Sequence, residues 1–488
     1  MNITLKSLFF KNLSIRQTIA KNTFWLAVSE VITGLLKFAL LVLAVRTLGA
    51  LEYGKFTFAF SFVSIMVIFA DLGIIETATK EFTQSQHKKN FPEFFTLNVI
   101  LTIIVFVVMF VGSFLVTSDP IIRKTTWILS LFILTTSFCG IFYAFLRSMQ
   151  RMEYEGLVKI IHSVLIFLVT IFVLLYFKSA LGFAYGYLLS NVIFLALFLL
   201  FFHFHFQPLM LKWNKHIFTL LKMSWPLTLG FTSGWICMAT TSVVLGYFNL
   251  ITENGWYGAA YKMAFMALVP ATLIVRSFYP VLGKLFIVSI ERFQKTWDYL
   301  MMSMIFLAVP IALGGVMLSP QIISFFYGNE FLPAVFILQA LILVIAINLI
   351  NYPFSLALVV SNEQKKNFFI IFSGAAVNIA LSIVFITLYG LLGAVIAVTL
   401  SSLLVLFLTI IILKYFTNLR VTIFNAALFK YTMMACFSGL IMFFIIRLPM
   451  VYRANIFYSV FIGALTYGVI LFLLLKSNQY FFKTKNLP

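Results

Sequence analysis

The chain has 488 residues, 62% of them hydrophobic and only 10% charged, and its mean hydropathy is +1.08. A soluble domain carries roughly 25% charged side chains, so lipid must be the main solvent of this chain. Its 34 basic and 14 acidic residues leave a net charge of +20, but the cations sit in short loops rather than on a basic patch of a soluble domain, which excludes nucleic acid as a partner.

A helix that crosses a bilayer needs about 20 mostly apolar residues. Fourteen such runs can be placed in chain order: 22–47, 53–80, 94–116, 124–147, 157–177, 180–203, 217–248, 256–281, 296–319, 331–360, 367–388, 391–415, 428–448 and 454–475. Lys6, Lys11, Arg16 and Lys21 precede the first run, which has no small-residue cleavage site and is expected to be retained. With the N-terminus placed in the cytoplasm, 24 of the 34 cations fall at inner ends, seven at outer ends, and Lys37, Lys262 and Arg276 within spans. That asymmetry favours an even number of spans with both termini cytoplasmic. The expected class is an all-α integral membrane protein of about 14 transmembrane helices. Residues 1–21 and 476–488 form cytoplasmic ends.

The connections are too short for an extramembrane domain. No G-x-x-x-x-G-K-[ST], H-E-x-x-H or G-x-S-x-G pattern occurs, so neither an ATP motor nor an enzyme is expected. Cys139, Cys237 and Cys436 lie in separate spans without ligand spacing, so no disulfide, metal or other cofactor is expected.

A short internal repeat links Leu48-Gly49 and Tyr53-Gly54 after the first span with Leu245-Gly246 and Tyr257-Gly258 after the seventh. It suits two six-helix halves of the same orientation, although Gly and Tyr also recur at membrane interfaces for reasons of their own.

The first span opens with Asn22-Thr23-Phe24-Trp25 and closes with Arg46-Thr47-Leu48-Gly49 and Glu52-Tyr53-Gly54; the second contains Phe69-Ala70-Asp71-Leu72-Gly73. With Gly255-Trp256-Tyr257-Gly258-Ala259-Ala260-Tyr261-Lys262 and Tyr389-Gly390-Leu391-Leu392-Gly393-Ala394, these blocks resemble the Wzx-like polysaccharide flippases, of O-antigen or teichoic type, in the multidrug/oligosaccharidyl-lipid/polysaccharide exporter superfamily. The resemblance covers about residues 20 to 415 and is most specific in its N-terminal block. It implies an N-lobe (22–203), a C-lobe (217–415) and two appended helices (428–475) around a central cavity that moves lipid-linked oligosaccharide by alternating access. Membrane lipid and other polysaccharide-assembly proteins are the further partners expected. Relatives often carry an Arg-x-Asp-like group late in the seventh span, where this chain has Ala239-Thr240-Thr241-Ser242-Val243, with hydroxyls but no charge.

An ionisable side chain at mid-bilayer costs about 2.5 to 3.5 kcal/mol on insertion scales and is retained mainly beside water or a partner. Glu30 and Lys37 lie seven residues apart, within about 20 degrees of one helix face at 100 degrees per residue. Lys262 and Arg276 in the eighth span lie fourteen apart, about 40 degrees from one another, with Pro270 between them as a possible kink. Lys37, Arg46, Lys262 and Arg276 are therefore the candidate cavity cations for a diphosphate headgroup, with Arg46 on the face opposite Lys37. The bland readings are neutralisation of Lys37 by Glu30 and snorkelling of Lys262 or Arg46. Asp71, Glu30 and Glu76 are candidates for ion coupling, with Glu76–Lys80 as an alternative i,i+4 pair.

Pro226, Pro310 and Pro353 are expected to kink their spans, and Gly182-x-x-x-Gly186 and Gly230-x-x-x-Gly234 to permit close helix contacts. Asn98, Asn191, Gln339, Asn348, Asn351 and Asn378 suit interhelical hydrogen bonds. The 59 Phe residues are expected to face lipid, and His162, His203, His205 and His216 to lie at the interface. An ion-coupled multidrug exporter on the same fold is the alternative function. A membrane glycan polymerase or ligase is disfavoured by the short outer loops.

Overall fold

The structure, a computed structural model, describes residues 15–84, 91–148, 152–205, 212–214, 216–415, 425–452 and 455–477. Most of residues 1–21 and 476–488, the ends expected to be cytoplasmic, lies outside the described residues, as do the side chains of His203, His205, His216, Pro226, Gly230, Gly234 and Cys237.

The described chain is helical, without strands. In order, the helices are α1 (Ile15–Asp71), α2 (Ile74–Gln84), α3 (Phe91–Val116), α4 (Pro120–Ser148), α5 (Met152–Phe177), α6 (Ala180–His205), α7 (His216–Tyr247) and α8 (Ile251–Met266). There follow α9 (Val269–Val288), α10 (Ile290–Phe326), α11 (Ala334–Val360), α12 (Gln364–Tyr389), α13 (Leu391–Tyr415), α14 (Ala426–Arg447), a single turn α15 (Pro449–Tyr452) and α16 (Ile456–Ser477). Twelve helical stretches among the described residues are long and apolar enough to cross a membrane. The first of them, Lys21–Thr83, has 63 residues, enough for more than one crossing.

Two expected spans are interrupted. The second, 53–80, breaks at Leu72 (φ 39°) and Gly73 (φ 70°), which divide α1 from α2. The eighth breaks at Ala267–Leu268, and Pro270, in the first turn of α9, needs no intrahelical N–H partner there. Lys262 and Arg276 thus stand on different helices, so the 100-degree arithmetic across them does not hold.

The chain divides into two compact units, residues 1–255 and 256–488. In the first, α1 turns at Gly49, whose φ of 69° and ψ of 176° are not helical. The segment before Gly49 runs with α5, and the segment after it runs back with α6, where Phe56 lies 4.4 Å from Phe183 and 5.9 Å from Tyr187. Beyond the turn the backbone of α1 meets the start of α8 closely. A Cβ on Gly54 would lie 1.9 Å from the Ile251 carbonyl oxygen, and one on Gly255 would lie 2.0 Å from that of Ala50. The Asn254 amide clamps this approach by donating to the Gly54 carbonyl (3.2 Å) and accepting from Ser242 Oγ (2.6 Å).

Phenylalanine is not confined to the lipid face. Phe82, Phe91, Phe94, Phe142, Phe145 and Phe198 form a buried core among α2, α3, α4 and α6, with edge-on pairs such as Phe82–Phe94 at 5.3 Å and Phe142–Phe198 at 5.3 Å. Between helices that have no hydrophobic drive to associate in lipid, such ring contacts supply packing and directionality. Gly186 does allow close contact, since its Cβ would meet Thr170 Cα at 2.8 Å.

In the second unit, Trp297 of α10 is fully buried and donates Nε1–H to the Pro353 carbonyl of α11 at 3.0 Å. Pro310 and Pro353 lie inside α10 and α11. Leu318, Met442, Ile446, Tyr467 and Leu471 join α10 to α14 and α16. The Tyr389–Ala394 block is a tight helix-to-helix turn: Gly390 has a φ of 56°, and a Cβ on Gly393 would lie 1.9 Å from the Phe385 carbonyl oxygen.

Candidate functional site

The first half of α1 carries an open polar stripe. Thr23, Ala27, Glu30, Gly34 and Lys37 are all exposed, at spacings of three and four residues that keep them on one face. A Cβ on Gly34 would meet nothing within 4 Å, so the stripe borders empty space rather than another helix. Lys37 is exposed and makes no hydrogen bond or ion pair among the described residues, and Glu30 does not neutralise it. Glu30 instead lies 3.5 Å from Lys159 of α5. Within a bilayer, charges on such an open face are retained mainly beside water or a partner.

Lys159 belongs to a network that links three helices. Glu155, in the first turn of α5 and fully buried, takes a bidentate contact from Arg147 at the end of α4, with Nη2 at 2.8 Å and Nε at 3.0 and 3.1 Å. Lys159 Nζ lies 3.0 Å from the same carboxylate and 5.8 Å above the Tyr143 ring. Two residues before Glu155, Glu153 forms a buried pair with Lys21 at 2.8 Å. Charge counting places Lys21, Arg147 and Lys159 at inner ends but gives no sign of these partners. The available signal is Glu153 and Glu155, two acids at one helix start in a chain with only 14.

The other candidates are more scattered. Arg46 is exposed on α1, across the helix from Lys37. Lys262 is half-buried on α8, and Arg276 is exposed on α9, where it makes no ion pair among the described residues. Helix α9 buries only Ala271 and Leu282, so most of its surface, Arg276 included, is open. Asp71 sits at the α1–α2 break, where the Ile75 amide hydrogen-bonds its carboxylate while Oδ1 is buried without a partner among the described residues. Glu76 is exposed, and the alternative i,i+4 pair with Lys80 does not form.

The interior polar groups serve helix contacts. Asn98 donates to Ser137 (2.9 Å), Asn378 to Ser401 (3.1 Å) and Gln339 to the Val316 carbonyl (3.2 Å), each across two helices. Among the described residues Asn351 bonds Ser355 of its own helix, at 3.4 Å. His162 is buried rather than interfacial: Nε2 meets Asn191 Oδ1 at 2.8 Å, and its ring stacks on Phe194 at 4.0 Å. Asn191 Nδ2 in turn faces the Thr135 and Thr136 hydroxyls at 2.6 and 2.9 Å. Of the uncharged stretch in the seventh span, Ser242 is spent on Asn254. Among the described residues no group of His, Cys, Asp and Glu could hold a metal.

The described residues form a multi-pass helical bundle, and its fold is that of the multidrug/oligosaccharidyl-lipid/polysaccharide exporter superfamily. A structure described as lipid II flippase MurJ, inward closed conformation, superposes with a TM-score of 0.74 at 17% identity, covering 93% of this chain and 99% of the other. An inward-facing multidrug resistance MATE family transporter superposes with a TM-score of 0.60 at 15% identity, covering 80% and 97%. No curated protein sequence matches. The profile of the polysaccharide biosynthesis protein family matches residues 19–286, more than half of the chain, and the chain belongs to that family. The resemblance noted in the sequence therefore holds.

Proposed function

We propose that the chain is a flippase for lipid-linked oligosaccharide, carried on a polyprenyl diphosphate, from the cytoplasmic to the outer leaflet of the cell's inner membrane during surface polysaccharide assembly. The observation that carries this reading is the open stripe on α1, where Lys37 makes no ion pair among the described residues and a Cβ added at Gly34 would meet nothing within 4 Å. A diphosphate is prohibitively costly to desolvate in hydrocarbon, and fixed cations along a wet face offset that cost. Arg276, without an ion pair among the described residues on the sparsely covered α9, provides a second cation, and Arg46 and Lys262 extend the series. N-lobe 22–203 and C-lobe 217–415 alternate in access, with both termini cytoplasmic, and the oligosaccharide is hydrated throughout. Asp71, with its orphaned oxygen, is the foremost of the three acids as the ion-coupling group, ahead of Glu30 and Glu76.

The test is translocation of a lipid-linked oligosaccharide in proteoliposomes, alongside surface glycan in cells. Lys37→Ala and Arg276→Ala are expected to lower flux at least tenfold at equal protein level, the loss of about 1.4 kcal/mol of headgroup stabilisation. Full flux in both variants removes these cations from the mechanism. The alternative, an ion-coupled multidrug exporter, is favoured instead by ion-driven efflux of cationic drugs from the same vesicles without translocation of the glycolipid.

A further inference from the structure

The network around Lys159 has an uneven balance of charge. Glu155 is fully buried and already matched by the bidentate Arg147 guanidinium. Lys159, 22% exposed, is therefore a second cation on one buried carboxylate, and its remaining counter-charge is Glu30, which is 66% exposed and 3.5 Å away. An exposed contact of that length is worth about 0–1 kcal/mol, whereas the Arg147–Glu155 fork is held from both sides. Within this network, then, one link is weak, and it is the one facing the open stripe. Glu30 also stands on that stripe seven residues from Lys37, about 10 Å along the helix.

We infer that Lys159 and Glu30 form a counter-ion exchange site for a diphosphate headgroup. This deepens the flippase reading and rests on it. An arriving diphosphate displaces the Glu30 carboxylate from Lys159, held meanwhile by the Tyr143 ring and by Glu155. Glu30 recaptures the ammonium when the headgroup moves two turns on to Lys37. Glu30 thus competes with an anion for the Lys159 ammonium and lowers its affinity for one, so that the substrate is released onward rather than trapped. No bond is made or broken.

The purified full-length protein would be titrated with farnesyl diphosphate in detergent by microscale thermophoresis, with inorganic pyrophosphate as competitor. Glu30→Gln removes the competing charge and is expected to tighten binding about fivefold, the equivalent of about 1 kcal/mol. Lys159→Met is expected to weaken binding, and Glu30→Gln is expected to add nothing in that background. Lys159→Arg keeps the Glu30 effect, and it replaces Lys159→Met as the decisive arm if the latter fails to fold. Competition by pyrophosphate at similar concentration identifies the free diphosphate as the recognised group; competition only at much higher concentration identifies the lipid headgroup. Equal affinity of Glu30→Gln and the unaltered protein, or a gain that persists in Lys159→Met, overturns the exchange site. Neither result bears on flux in the Lys37 and Arg276 variants, so the two readings fail separately.

Discussion

Removing Glu153 should be far more damaging than its position near a helix start suggests. The Lys21 ammonium and the Glu153 carboxylate are 1% and 4% exposed and 2.8 Å apart, which makes this a buried ion pair between α1 and α5. Glu153→Ala removes this carboxylate from a buried ammonium, and breaking such pairs costs about 3–5 kcal/mol. Replacing both partners by apolar residues of similar size removes both desolvation costs and is often neutral. Lys21→Met with Glu153→Leu should therefore recover most of the stability lost in the single variant. The assay is the fraction of monodisperse protein left after heating in detergent, read by size-exclusion chromatography. The order expected is unaltered protein and double variant close together, with Glu153→Ala well below. A single variant as stable as the parent, or a double variant no better than the single, refutes the assignment of a buried pair.

Gly54→Ala should cost about 1–3 kcal/mol through overpacking against the Ile251 carbonyl. Gly468→Ala, at a site with nothing within 4 Å, should be neutral in the same melting assay. His162→Leu strands Asn191 Oδ1 in the interior, for a loss of about 1–3 kcal/mol, while His162→Gln should restore part of it. Trp297→Phe keeps the ring packing but leaves the Pro353 carbonyl without its indole donor, and should lower stability by about 1–2 kcal/mol in the same assay.

What could be read directly from the residues was whatever depends on local periodicity. The apolar runs gave the helices, and 100 degrees per residue put Glu30 and Lys37 on one face, where the structure also has them. The same arithmetic failed for Lys262 and Arg276 because it assumes an unbroken helix, and Pro270 opens a new one there. Glu30 was placed on the right face, but its partner Lys159 lies 129 residues on, beyond any local pattern. His162 illustrates the other limit. A polar residue near a span end reads as interfacial unless it is known that Asn191, Thr135 and Thr136 converge on one point from two other helices. The Phe core was hidden for a related reason: lipid and protein interior ask for the same side chains.

The reversal at Gly49 is accomplished by one residue with positive φ between two helical arms, and no connecting loop separates them. Insertions and deletions, which surface loops ordinarily absorb, would here be transmitted into membrane-embedded helix. One added residue would rotate every later side chain of that arm by about 100 degrees and exchange its lipid-facing and buried sides. Epitope tags and length polymorphism should accordingly be tolerated at chain ends and excluded from this corner, where the polypeptide has no slack.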